Sequence, residues 1–132
     1  MNILDEIAGR TRERIEEEKR QQSLLDLKYR IREQERQAPS FYGALAAPGM
    51  SYICELKKAS PSKGLIAPEF PYVEIAREYE GAGASAISCL TEPHYFQGAD
   101  QYLREVVQNV SIPILRKDFT VDEYMIYQAK EL

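Results

Sequence analysis

Three short apolar runs, each followed by a segment with helical periodicity, constrain the fold of this 132-residue chain more than any other feature. The predicted strands are Tyr52–Lys58, Ala86–Thr91 and Ile112–Lys117. The predicted helices that follow them run from Pro71 or Tyr72 to Gly81, from about Ala99 to Val107, and onward from near Val121. This alternation is typical of parallel strands joined by helical crossovers. The sequence therefore predicts an α/β fold.

The residues before the first strand are rich in charge and poor in apolar side chains. One helix is predicted from Asn2 to about Arg36, because this stretch has no proline and many strong helix formers. A short helical turn at Phe41–Leu45 is predicted with Ser40 as its N-cap. The long helix mixes both signs of charge, which favours a solvated helix packed on its own domain over a membrane or calmodulin-binding segment. We therefore predict an N-terminal helical extension, residues 1–50, and an α/β region, residues 51–132.

The first predicted strand carries two opposite charges on one face. Glu55 and Lys57 are two residues apart in the stretch YICELKKASPSKG, and a strand has a side-chain period of two. In a parallel sheet with both faces covered, that face is buried. A plain ion pair is one explanation, but a buried pair contributes little stability because desolvation offsets the attraction. Since small, polar and turn-forming residues follow, the pattern favours a site for an anionic ligand.

The third predicted strand, in the stretch IPILRKDF, repeats this arrangement. Lys117 ends the strand and shares a face with Leu115, whereas Arg116 points to the other side. Ligands of parallel α/β folds bind outside the carboxyl ends of the strands, so Glu55, Lys57 and Lys117 are expected to converge there. Apolar surroundings would disfavour the ammonium form of Lys117 and Glu55 would favour it, a balance suited to a general acid. The alternative is that Lys117 is a solvated residue just past the strand.

Composition excludes several classes of function. The 17 basic and 21 acidic residues give a net charge of -4 and no basic patch of the kind that binds nucleic acid. Cys54 and Cys89 lie in apolar runs without metal or redox spacing, so buried, reduced thiols are expected. His94 is the only histidine, which leaves no histidine pair for zinc. With no signal peptide and no apolar run of membrane-spanning length, the expected location is the cytoplasm.

Three motifs, taken together, resemble one known family. The stretches CELKKASPSKG, LTEPHYFQG and PILRKDF, after a charged segment that begins NILDEI, resemble indole-3-glycerol-phosphate synthase of tryptophan biosynthesis over essentially the whole chain. The resemblance implies a TIM (β/α)8 barrel of about 250 residues. This sequence matches the N-terminal extension and the first three βα units. The implied reaction closes a ring with loss of carbon dioxide and water from 1-(2-carboxyphenylamino)-1-deoxyribulose 5-phosphate, without any cofactor or metal.

The resemblance implies catalytic roles for three residues. Lys117 matches the general acid that protonates the substrate ketone, which makes the ketone electrophilic enough for attack by the aromatic ring. Lys57 matches a lysine that positions the anionic substrate and assists proton transfer. Glu55 matches a catalytic carboxylate on the same strand.

Substrate contacts are implied for three more residues. Ser60 matches a residue that contacts substrate, and Phe96 and Phe119 match aromatics that line the pocket around the anthranilate ring. The ordinary alternatives are a turn role for the serine and core packing for the phenylalanines. The expected partner is a phosphorylated small molecule, with no nucleic acid and no membrane.

The last predicted helix stops at Leu132 without a cap, glycine or turn. Five further strands, a second catalytic glutamate, an asparagine and the Gly/Ser-rich phosphate loops of the family have no counterpart in this sequence. We therefore expect the N-terminal half of such an enzyme, inactive by itself. Two alternatives stay open: a non-enzymatic half barrel that self-associates through open sheet edges, and another phosphate-binding TIM-barrel enzyme.

Overall fold

The computed structural model describes residues 2–132, which form two compact units. One unit is Ala38–Asp118, and the other combines residues 2–37 with Phe119–Leu132. In chain order the elements are α1 (Ile3–Gln21), α2 (Leu24–Glu33), α3 (Phe41–Ala46), β1 (Ile53–Leu56), β2 (Ala59–Ser60), β3 (Gly64–Leu65), α4 (Tyr72–Gly81), β4 (Ala86–Leu90), α5 (Asp100–Asn109), β5 (Ile114–Lys117) and α6 (Glu123–Glu131). None of the helices in residues 2–132 is both long and apolar enough to cross a membrane. The predicted domain boundary after residue 50 stays a prediction.

The unit Ala38–Asp118 is built on a parallel sheet of strands β1, β4 and β5, in the order β1-β4-β5. The crossovers are α4, between β1 and β4, and α5, between β4 and β5. Every residue of the central strand β4 is buried, since β1 and β5 flank it and α4 and α5 pack against it. The predicted α/β class with parallel pairing is therefore confirmed. The predicted helix Phe41–Leu45 is confirmed as α3, and the Ser40 side chain accepts a hydrogen bond from the Gly43 N–H.

A two-stranded antiparallel ribbon interrupts the segment that was predicted as a plain loop after the first strand. Strand β2 pairs with β3, with Ser60 opposite Gly64. Gly64 has φ of +64°, a backbone conformation that glycine adopts without steric cost. The Ser60 hydroxyl accepts a hydrogen bond from the Lys63 N–H at 3.1 Å, which closes the turn between the two strands. The turn-forming sequence SPSKG thus folds the chain back, and the N–H groups of Ile66 and Ala67 donate to the Lys58 carbonyl.

The prediction of one continuous helix from Asn2 to Arg36 is wrong. The unit that combines residues 2–37 with Phe119–Leu132 is called the helical unit. It contains α1 and α2, which are separated at Gln22 and Ser23. Ser23 has extended backbone angles, and its side chain accepts a hydrogen bond from the Asp26 N–H, so it starts a new helix as an N-cap. The physical reason for the break is therefore a local capping interaction, which overrides a run of good helix formers.

Helix α6 packs with α2 in the same unit around a small apolar core. Ile15, Leu27, Tyr124 and Met125 are each 2% exposed or less. The Tyr124 hydroxyl donates a hydrogen bond to the Gln22 carbonyl at 2.7 Å, at the break between α1 and α2. Tyr124 and Met125 are the two buried residues of α6.

Candidate active site

The register of the parallel sheet brings the charged strand ends to one place. Glu55 of β1 is paired in register with Ser88 of β4, and Leu90 of β4 with Lys117 of β5. Lys57 directly follows β1, and Lys117 is the final residue of β5. Glu55, Lys57 and Lys117 lie at or just past the carboxyl ends of β1 and β5, where ligands of parallel α/β folds bind.

The Glu55 carboxylate lies between two lysines. Its Oε1 is 3.0 Å from the Lys57 Nζ, and its Oε2 is 3.6 Å from the Lys117 Nζ. The Ser88 hydroxyl donates a hydrogen bond to Oε2 at 3.0 Å. Each carboxylate oxygen therefore faces a different ammonium group, and the hydroxyl fixes the rotation of the carboxylate plane. The structure brings together all three residues that were predicted to be catalytic.

Three neighbours set the ionisation of Glu55. Partial burial would by itself raise the pKa of this carboxyl group. Hydrogen bonds from Lys57 and Ser88, with the positive charges of Lys57 and Lys117, outweigh burial and lower the pKa below its ordinary value of 4.5. Glu55 is consequently ionised at neutral pH, and the site contains two positive charges and one negative charge.

Lys117 is the most exposed of the three charged residues. Its side chain is 54% exposed, compared with 37% for Lys57 and 29% for Glu55. Lys117 is the last residue of β5, an outer strand of the described sheet. Its neighbour Arg116 points to the other side as predicted, is only 5% exposed, and forms an ion pair of 2.9 Å with Asp100.

The three residues with implied substrate contacts, Ser60, Phe96 and Phe119, differ in burial and in their place in the fold. Ser60 is buried, and its hydroxyl accepts the turn hydrogen bond described above. Phe96 is half-buried in the loop that follows β4. Phe119 is also half-buried and belongs to the helical unit. The implied substrate contacts of these three residues stay predictions.

Two residues that hold Glu55 were not identified from the sequence. Ser88 is 4% exposed and donates to the carboxylate, and the Tyr79 hydroxyl donates to the Glu55 backbone carbonyl at 2.9 Å. A signal for Ser88 existed, because the two-residue period of β4 places it on the same face as Ala86 and Leu90, in the middle of an apolar strand. A lone hydroxyl at such a position requires a partner.

Nothing in the described part of the chain forms a metal site. Within residues 2–132, no three histidine, cysteine, aspartate or glutamate side chains are grouped so that they could hold a metal ion. Cys89 is buried and Cys54 is partly exposed, and both thiols are free.

Comparison with known proteins gives a consistent result. The family model for indole-3-glycerol phosphate synthase matches residues 4–132. A protein of that name from Lacticaseibacillus paracasei is 54% identical over 129 residues, which are 97% of this chain and 50% of the relative. One from Ruminiclostridium cellulolyticum is 52% identical over 128 residues, 96% of this chain and 49% of the relative. The chain spans about half the length of the curated relatives that it matches.

Proposed function

The chain belongs to the indole-3-glycerol phosphate synthase family, and from this premise we propose that it contributes the strand-end part of that enzyme's active site. The proposed reaction is the closure of the indole ring of 1-(2-carboxyphenylamino)-1-deoxyribulose 5-phosphate, with loss of carbon dioxide and water. The observation that carries the proposal is the Glu55 carboxylate between the ammonium groups of Lys57 and Lys117.

Lys117 is the proposed general acid. Ring closure requires that the substrate ketone gain a proton as the aromatic carbon attacks it, and a positioned ammonium group supplies that proton. Two features support this role. The Glu55 carboxylate lies 3.6 Å from the Lys117 Nζ, and the exposure of the Lys117 side chain leaves its end accessible to a ligand.

Lys57 is proposed to hold the anionic substrate. Its side chain is only partly exposed, and Glu55 fixes the position of its Nζ with a 3.0 Å ion pair. The substrate has a carboxylate and a phosphate, so a site with net positive charge attracts it. Lys57 is also proposed to assist proton transfer. Glu55 is proposed as the catalytic carboxylate that orients both lysines, because one of its oxygens lies near each.

Substrate contacts are proposed for the remaining predicted residues. Ser60 would form part of the loop beyond β1, with its turn held by the Lys63 N–H. Phe96 and Phe119 would contact the anthranilate ring, which an aromatic side chain packs against favourably. Both phenylalanines follow the carboxyl end of a strand in the sequence, Phe96 after β4 and Phe119 after β5.

We infer that β1, β4 and β5 are consecutive strands of a TIM barrel, preceded by a helical extension over residues 1–50. The parallel order and the helical crossovers support it.

A chimeric enzyme tests the proposed function. The segment of the Lacticaseibacillus paracasei relative that matches this chain, 50% of that protein at 54% identity, is replaced by residues 1–132. The expected result is formation of indole-3-glycerol phosphate, measured by the fluorescence of the indole product, with the unaltered relative as positive control. A chimera that folds, as judged by circular dichroism, but yields no product would contradict the proposal.

A second proposal, self-association, is supported by the outer strands of the sheet. Ile53 of β1 and Leu115 of β5 are 48% and 43% exposed, on strands that each have one neighbour in the described sheet. Such edges favour pairing with another chain. Sedimentation equilibrium of the 132-residue chain is expected to show a concentration-dependent dimer. A folded monomer at every concentration would exclude this alternative.

A further inference from the structure

Glu92 is a buried carboxylate that the proposed reaction does not use. It lies two residues after the end of β4 and is only 1% exposed. A buried charge is unfavourable unless hydrogen bonds compensate for the lost water. Three backbone groups do so, since the His94 N–H donates to Oε1 at 2.9 Å, and the N–H groups of Tyr95 and Phe96 donate to Oε2 at 2.7 and 3.1 Å.

These three donors belong to consecutive residues, so one side chain fixes a whole turn of backbone. Successive N–H groups that point to one centre form a concave site for an anion. Here the anion is the carboxylate of the chain itself. The turn that it fixes carries Phe96 at its end.

A second interaction closes the same loop. The Gly98 N–H donates to the Glu92 carbonyl at 2.9 Å, and Gln97 has a φ of +50°. A Cβ atom on Gly98 would lie 2.4 Å from the Leu90 carbonyl oxygen, so only glycine allows this close approach to the end of β4. The side chain of Glu92 thus fixes the turn at residues 94–96. Its backbone carbonyl fixes Gly98, where the loop leads into α5.

We propose that Glu92 is a positioning residue that fixes Phe96 against the aromatic ring of the substrate. The inference rests on the proposed function, because it assigns Phe96 to the anthranilate pocket. Glu92 does not touch the substrate, since its carboxylate is buried and fully engaged with the backbone. It keeps the loop in the conformation that binds the ring, so no conformational freedom has to be lost on binding.

The carboxylate is specifically suited to this role. A glutamine at position 92 has one carbonyl oxygen and one NH₂ group, and the NH₂ group would face an N–H donor instead of accepting from it. Glu92→Gln is therefore expected to have an intermediate effect, and Glu92→Ala the full effect. Glu69→Gln is the matched control, because Glu69 is an exposed residue of the same unit.

Amide hydrogen exchange of the 132-residue chain provides the first test. In Glu92→Ala, exchange of the amides of Tyr95 and Phe96 is expected to accelerate by about tenfold or more, the effect of losing a hydrogen bond to a charged group. The amides of Ile87 and Cys89 in β4 report on the fold and are expected to stay protected. Unchanged exchange at residues 94–96 in both Glu92 variants would overturn the proposal, whatever the activity.

Kinetics of the chimera provide the second test. Glu92→Ala is expected to raise KM by about tenfold while kcat changes much less, because the ring contact is made in the ground state and in the transition state alike. Faster exchange with an unchanged KM would also overturn the proposal. Glu92 would then order the loop, but that order would not contribute to substrate binding. An unaltered chimera without turnover would contradict the proposed function, and exchange alone would then decide whether Glu92 orders the loop.

Discussion

Glu55 is the residue on which the candidate site depends. Its two oxygens face different lysines, and Ser88 holds the carboxylate in that orientation. The lowered pKa of Glu55 has a direct consequence for stability. Since the pKa is lower in the folded chain than its ordinary value of 4.5, the charged group stabilises the fold above pH 4.5. That contribution is lost as the pH falls through the folded-state pKa.

Replacement of Ser88 tests this arrangement. Ser88→Ala removes a hydrogen bond to the charged form of Glu55, so the pKa of Glu55 is expected to rise towards its ordinary value. The measurement is a pH titration of the Glu55 side-chain carboxyl signal by carbon-13 NMR. The control is Ser85→Ala, whose hydroxyl accepts from the Tyr52 N–H instead. An unchanged pKa of Glu55 in Ser88→Ala would show that the Ser88 hydroxyl does not lower the pKa of this carboxyl group.

The two cysteines differ in their environment, which predicts a difference in reactivity. Burial, with a smaller contribution from the charge of Asp100, raises the pKa of Cys89 to about 12. The thiolate is the reactive form, so alkylation of Cys89 by iodoacetamide at pH 8 is expected to be at least roughly 100-fold slower than that of the partly exposed Cys54. Mass spectrometry of the alkylated peptides measures both rates. Equal rates in the native chain would contradict the burial of Cys89, and equal rates in urea are the expected control.

At the level of single residues, the sequence predicted part of the site and not the rest. The two-residue period and the carboxyl-end rule were sufficient to place Glu55 and Lys57 with Lys117, because both depend on local spacing and on the parallel order of strands. Ser88 was not identified as the partner of Glu55, because that pairing depends on the register between β1 and β4. A single sequence does not fix a register between strands that are 30 or more residues apart.

At the level of elements, short local interactions determined features that the hydrophobic periodicity of the sequence did not predict. The prediction of one long helix failed because a single serine, Ser23, caps a new helix within a run of good helix formers. The β2–β3 ribbon was missed because strands of two residues are too short to show any periodicity. The three strands of the parallel sheet and their crossovers were predicted, because each apolar run is followed by a longer segment with helical periodicity.

The loop after β4 gives a prediction at this level. Gly98→Ala is expected to destabilise the chain by about 1–3 kcal/mol, because the new Cβ atom would overlap the backbone of Leu90 and Thr91. The free energy of unfolding, measured with urea, tests this. Gly81→Ala is the matched control, since nothing lies within 4 Å of a Cβ atom at that position, and alanine is the better helix former. A Gly98→Ala chain as stable as the Gly81→Ala chain would contradict the close approach at Gly98.

At the level of the whole molecule, the chain has the sequence of one family along almost its entire length and covers about half of each relative. The strand-end cluster of Glu55, Lys57 and Lys117 lies within that matched part. Its charges and its position suit an anionic substrate and a proton transfer to it. The activity that we propose therefore depends on what these three residues do when the remainder of the relative is present.

Turnover of the chimera with a substitution at Lys117 tests the central claim most directly. If Lys117 is the general acid, Lys117→Ala lowers kcat by about 10²–10⁴-fold, the usual contribution of acid–base catalysis. Lys130→Ala is the matched control, because it removes an exposed lysine from the last turn of α6, and its turnover is expected to be unchanged. A Lys117→Ala chimera with the kcat of the unaltered chimera would contradict the assignment of the acid to the strand-end site.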